Sequence, residues 1–199
     1  EKLNYPNGIY DTKDDFLNKK PSRNEELILE KTPITYEIDS IMSRCYFYTK
    51  INEKKIKKAF AISYNGYLYF GIKSMLKNKN KKDKSLSGDP RAFIIVLESK
   101  KKFLYTESVL INPLKYSTSV GVSQGVGGII GQKLGNLIER PNSPYDKGIV
   151  WDYKNEEFNI FKNCEDYNDF IKEYSNDLLD CNNEQNILIR IRENIKQVR

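Results

Sequence analysis

Asn65-Gly66 stands between Phe60-Ala61-Ile62-Ser63-Tyr64 and Tyr67-Leu68-Tyr69-Phe70. This pair supplies the positive φ angles that a two-residue hairpin turn demands, and the flanking runs are rich in aromatic and β-branched residues. A hairpin over Ala59 to Lys73 commits the chain to an antiparallel sheet. Other short apolar runs extend it: Leu27-Ile28-Leu29, Thr35-Tyr36-Glu37-Ile38 and Cys45-Tyr46-Phe47-Tyr48. Phe93-Ile94-Ile95-Val96-Leu97 reads as a central strand, with Lys100 to Lys102 as a turn and Phe103 to Ile111 as its partner. A second hairpin joins Ile149 to Tyr153 and Phe158 to Phe161 around Lys154-Asn155-Glu156.

Helical signals sit at the two ends. Thr12 precedes Asp15 by three residues, an imperfect capping-box spacing that starts a short helix through Phe16 and Leu17, ended by Pro21. Near the C-terminus, Tyr167, Phe170, Ile171 and Tyr174 recur at helical spacing over Asp166 to Leu179. Leu188, Ile191, Ile195 and Val198 repeat the pattern over Glu184 to Val198. Lys77 to Ser87 is a Lys/Asn/Asp/Ser run that reads as an exposed loop. The expected fold class is α+β in a single domain over 1–199. Residues 1–162 are mainly β with a Gly-rich segment at 119–138, and 163–199 form a helical part packed on the sheet.

A chain of 199 residues buries roughly 70% of its unfolded surface, so its core needs no disulfide or metal staple. Only 39% of the residues are apolar, but 14 Tyr and 9 Phe imply that rings supply much of that core. The net charge of +6 comes from acids and bases that alternate through most of the chain. That pattern describes a solvated surface with a mild positive bias.

The chain carries no histidine, which excludes Ser-His-Asp and Cys-His nucleophile pairs and any His-containing zinc site. Cys45, Cys164 and Cys181 cannot make a four-thiolate zinc site. Cys45 lies in an aromatic run and reads as a small buried hydrophobe. Cys164 and Cys181 flank one predicted helix and either pair in an oxidising compartment or stay as free thiols. No run of about 20 apolar residues could cross a membrane as a helix. A start at Glu1 fits a trimmed boundary or the removal of a signal peptide.

Glycines 121, 125, 127, 128, 131 and 135 form the least ordinary segment. A dinucleotide fingerprint starting at Gly125 fails at its sixth position, Ile130, and Gly131-Gln132-Lys133-Leu134 lacks the Ser or Thr of a P-loop. Gly127, Gly131 and Gly135 recur every four residues, as on the close-packed face of a helix. A long loop using positive φ is the alternative. A third reading has Gly127, Gly131, Gly135 and Lys133 cradling a ligand through backbone amides. No cofactor is implied.

The tripeptide Gly8-Ile9-Tyr10 opens one nuclease family, but Asp11 to Asp15 supplies no second motif, so that reading is rejected. The acid pairs Asp14-Asp15 and Glu165-Asp166 fall in predicted first helical turns, where they favour the macrodipole. Polyanion binding would use Lys54, Lys55, Lys57 and Lys58 together with Lys81 and Lys82. Tyr46, Tyr48, Tyr64, Tyr67 and Tyr69 would then stack bases, although alternating tyrosines more often pack beneath another element.

Gly8-Ile9-Tyr10, Asp15-Phe16 and Asn18-Lys19-Lys20-Pro21-Ser22 resemble the mature N-terminus of uncharacterised exported proteins of Gram-negative bacteria. The order of Gly-rich segment, hairpin and helical tail is similar too. The resemblance implies export and brings no catalytic residues. The expected function is that of a non-enzymatic exported protein of the periplasm or cell envelope, acting on a protein or envelope partner. The alternatives are a cytosolic nucleic-acid or polyanion binder and a His-free hydrolase using carboxylates.

Overall fold

The Asn65-Gly66 turn forms as its chemistry requires, with φ of 53° and 80°, and joins strands that pair Ala61↔Phe70 through Tyr64↔Tyr67. A computed structural model describes residues 3–33, 43–80, 86–110, 146–183 and 185–198. Its strands are β1 (Gly8–Tyr10), β2 (Leu27–Pro33), β3 (Ser43–Thr49), β4 (Ala61–Tyr64), β5 (Tyr67–Gly71), β6 (Phe93–Ser99), β7 (Phe103–Val109), β8 (Asp146–Asp152) and β9 (Glu157–Phe161). The helices are α1 (Lys13–Leu17), α2 (Ile72–Lys77), α3 (Cys164–Ile171) and α4 (Ile187–Gln197). The fold is α+β with an antiparallel sheet, as the patterning predicts.

The sheet runs β1-β4-β5-β6-β7-β8-β9, and β2 and β3 branch from it where Cys45 faces Phe93. β6 serves both halves: Phe93 to Ile95 pair with β5, and Val96 to Ser99 pair with β7, with a register shift between Val96 and Glu98. Strand alternation then sorts the side chains into three apolar clusters. Phe60, Leu68, Phe70, Leu104, Trp151 and Phe158 share the first, where the ring centroids of Phe70 and Phe158 lie 4.9 Å apart. In the second cluster, Leu27 of β2 and Phe47 of β3 pack with Ile62, Tyr69 and Phe93. Phe103, Tyr105, Val150 and Phe161 face α3 and α4 in the third, against Tyr167, Ile171, Ile191 and Ile195.

Several elements depart from the sequence reading. α2 has no counterpart in the patterning; it buries Ile72 and Met75 directly after the hairpin. The first residues of the polar run are not a free loop, because the Phe158 amide donates to Asn78 and the Asn80 amide to Phe158. Polar side chains there mask a backbone that seals the outer edge of β9. Residues Lys81 and Lys82, the Thr35–Ile38 run and the Gly-rich segment with Gly127, Gly131, Lys133 and Gly135 lie outside the described residues.

α3 starts at Cys164 and stops at Ile171, well short of Leu179. The Asn168 side chain holds Leu179 by two bonds, Nδ2 to its carbonyl at 2.8 Å and Oδ1 from its amide at 2.9 Å. Cys164 is bonded to Cys181, with 5.5 Å between the α-carbons. Those ties turn the chain back along the helix. No helix among the described residues is long and apolar enough to cross a membrane.

Candidate functional site

Four separated stretches meet at one end of the first core: the segment at Leu3 to Tyr5, the end of α1, the β6–β7 turn and Tyr153 beyond β8. Between them lies a cleft of about 690 Å³ whose walls include Leu3, Tyr5, Leu17, Lys19, Lys101 and Tyr153. Its size falls within the roughly 300–1,000 Å³ usual for small-molecule sites.

The cleft is built from the floor upward. Tyr5 stacks on the buried ring of Phe16, with centroids 4.8 Å apart and planes 10° apart. The Tyr153 ring is nearly parallel to Phe16 at 6.4 Å. The Tyr5 and Tyr153 hydroxyls share a hydrogen bond of 2.9 Å. Burial, then the neighbouring Tyr153, pushes the Tyr5 phenol far above its ordinary value, and burial raises Tyr153 as well. Both therefore stay protonated at neutral pH.

The backbone that carries Tyr5 is pinned at several points. Ser63 Oγ donates to its carbonyl at 3.0 Å, and Tyr10 Oη donates to the Pro6 carbonyl at 2.7 Å. Gly8 makes this turn possible: at φ 146° a β-carbon would lie 2.6 Å from that of Pro21 and 2.8 Å from the Arg23 carbonyl. α1 is fixed by a full capping box between Thr12 and Asp15. The Ser22 hydroxyl, then that of Thr12, holds the Asp15 carboxyl below its ordinary range.

α1 ends in a Schellman motif, in which the Lys20 amide donates to Asp15 at 2.9 Å and the Lys19 amide to Phe16 at 3.1 Å. The left-handed position, normally glycine, is occupied by Lys19 at φ 51°. Its ammonium sits 5.2 Å from the centre of the Tyr5 ring. Lys19→Gly is expected to raise stability by about 0.5–1 kcal/mol by relieving that conformation. Urea denaturation reads this directly, and an unchanged or lowered midpoint would refute it.

Three lysines rim the cleft: Lys19, Lys100 and Lys101. Lys100 Nζ donates to the backbone carbonyl of Lys196 at 2.9 Å, a neutral partner. Lys19 and Lys101 form no salt bridge among the described residues. Among the described residues, no carboxylate lines this cleft.

A smaller cleft of about 240 Å³ is lined by Asp152, Glu157, Asp166, Asp169 and Glu173, the natural place to look for acid–base chemistry. These carboxylates are already engaged. Asp152 accepts from the Lys154 amide at 2.8 Å, from Asn155 Nδ2 at 2.6 Å and from the Tyr174 hydroxyl at 3.2 Å. Asp166 accepts from the Lys162 amide, and Glu157 from Asn80 Nδ2. Asp169 pairs with Lys172, and Glu173 with Lys154. Among the described residues, no group of three or more Cys, Asp or Glu converges to hold a metal ion.

Of the sequence-derived polyanion set, Lys54, Lys55, Lys57 and Lys58 are described. Lys54, Lys57 and Lys58 are exposed, but Lys55 is half-buried with its ammonium 4.2 Å from the Tyr46 ring centre and 5.0 Å from that of Tyr48. The hydroxyls of Tyr46 and Tyr48 donate to Asp89 and Glu30. Tyr69 is buried in the second core and Tyr64 packs against it, while Tyr67 is exposed. The five tyrosines thus form no common stacking platform. Cys45 is buried, and burial pushes its thiol up to about 11.

Sequence reasoning did not single out Tyr5, Lys19, Lys101 or Tyr153 as a site. They come from four parts of the chain with no shared spacing, and the lysines near 100 read simply as a turn. No protein-family model, curated protein or solved structure matches this chain.

Proposed function

We propose that this is an exported, non-enzymatic binding protein of the bacterial envelope that takes its ligand in the Tyr5–Tyr153 cleft. The cleft carries the reading. It is concave, floored by rings and leucines, rimmed by ammonium groups, and its two phenols are locked together and protonated. Such a set holds a ligand and offers no obvious proton cycle at neutral pH. The residues that resemble an exported opening, among them Phe16 and Lys19, build the floor and rim.

The Cys164–Cys181 bond supports an oxidising compartment, because cytosolic thiols are kept reduced. Its closed loop, with a sequence separation of 17, corresponds to about 3 kcal/mol of stabilisation. Alkylation of protein from fractionated native cells tests this proposal. Denatured, unreduced protein from the periplasmic or envelope fraction should react only at Cys45, and reduced protein at Cys45, Cys164 and Cys181. A cytosolic product reacting at all three before reduction would contradict it.

A further inference from the structure

Given a ligand in the Tyr5–Tyr153 cleft, as proposed above, we infer that it is a small organic anion with an apolar body, such as a fatty or aryl carboxylate. The charge of the rim points to the anion. Many surface lysines of this chain are neutralised, as in Lys13–Glu156, Lys50–Glu26 and Lys196–Glu193. Lys19, Lys100 and Lys101 gather around one concavity whose described walls hold no carboxylate. Like charges brought together repel, so an arriving anion is stabilised by removing that repulsion as well as by direct attraction.

The floor points to the apolar body. Leu3, Leu17 and Tyr153 are partly buried against the first core and present their remaining surface to the cleft. Nucleobases fit poorly, because Phe16 stacks on Tyr5 and Lys19 lies over that ring. An aliphatic chain or a single aryl group needs no open ring face. It can rest on the leucines while its acidic head reaches the lysines.

Lys19 supplies a second observation. It keeps a left-handed backbone where glycine is the favoured residue, at the position that sets its ammonium over the cleft floor. A charged side chain held in a strained backbone conformation at a cleft rim fits a binding role.

The probe is 8-anilinonaphthalene-1-sulfonate, with neutral N-phenyl-1-naphthylamine as its uncharged counterpart, titrated into the full chain. The sulfonate should bind with a fluorescence rise that laurate reverses, and it should weaken as salt is added. Lys19→Ala/Lys101→Ala should weaken sulfonate binding about tenfold, equivalent to two exposed charge contacts, and leave the neutral probe unchanged. Lys19→Gly should weaken it severalfold in a more stable protein, and Lys154→Ala, at the acidic cleft, should change nothing.

Equal binding of both probes, indifferent to the lysine substitutions, would overturn the anionic class while leaving a ligand cleft in place. Failure of both probes, in protein that retains the near-ultraviolet signal of Trp151, would overturn the cleft reading itself. Pelleting with phosphatidylglycerol vesicles without binding of sulfonate or laurate would assign the lysines to a membrane surface and overturn the free-ligand proposal.

Discussion

Arg192→Ala is expected to destabilise the protein by about 3–5 kcal/mol, the range for breaking one side of a buried ion pair. Arg192 Nε and Nη2 grip the Glu107 carboxylate at 3.1 and 2.8 Å, and the Tyr105 hydroxyl donates to the same carboxylate at 2.8 Å. The Glu107 side chain is 1% exposed, so water cannot replace the guanidinium. Burial, then the Glu107 charge, keeps the Tyr105 phenol protonated and donating. Glu107→Gln/Arg192→Met should recover more than half of the loss, because the amide still accepts from Tyr105 and no charge is stranded. Urea denaturation compares the two. A single variant within about 1 kcal/mol of wild type would mean that the pair is solvated and α4 does not depend on it.

Trp151→Ala should cost a comparable ~3–5 kcal/mol, by lost burial and the cavity left behind. Trp151 is fully buried, with Phe158 at 4.8 Å, Phe60 at 5.3 Å and Phe16 at 5.7 Å between ring centres. Those rings come from both halves of the sheet and from α1, so the cavity would open where the layers meet. The indole N–H has no hydrogen-bond partner among the described residues. Trp151→Phe therefore removes an unsatisfied donor along with volume, and should cost only ~1–2 kcal/mol. If the phenylalanine variant is as unstable as the alanine variant, the indole has a partner and the packing account is wrong.

Local chemistry made part of this fold legible. Asn65-Gly66 fixes its hairpin because few residue pairs accept two positive φ angles, and Thr12 with Asp15 caps α1 through atoms three residues apart. Asp14-Asp15 and Glu165-Asp166 fall in first helical turns, as their charge favours. Signals that depend on distant partners were not legible. The length of α3 is limited by Asn168 gripping Leu179, and no periodicity encodes that bond. The apolar strands carry rings on both faces, so alternation alone did not show that three clusters exist. Glu107 and Arg192 stand 85 residues apart, and nothing near either names the other.

The cleft was hidden for the same reason. In the sequence, Tyr5 belongs to a turn, Lys19 to an opening motif and Lys101 to a second turn. Only the packing of Tyr5 and Tyr153 on the Phe16 ring brings these stretches together. Of the dense lysine run at 54–58, Lys55 is folded onto Tyr46 and Tyr48.

The most direct test of a ligand cleft between Tyr5 and Tyr153 is a backbone amide chemical-shift titration of the full chain with laurate. The account predicts saturable shifts concentrated at Tyr5, Lys19, Lys100, Lys101 and Tyr153, with residues of the acidic cleft such as Asp169 unmoved. Shifts centred on the acidic cleft, or none at saturating laurate, would contradict it.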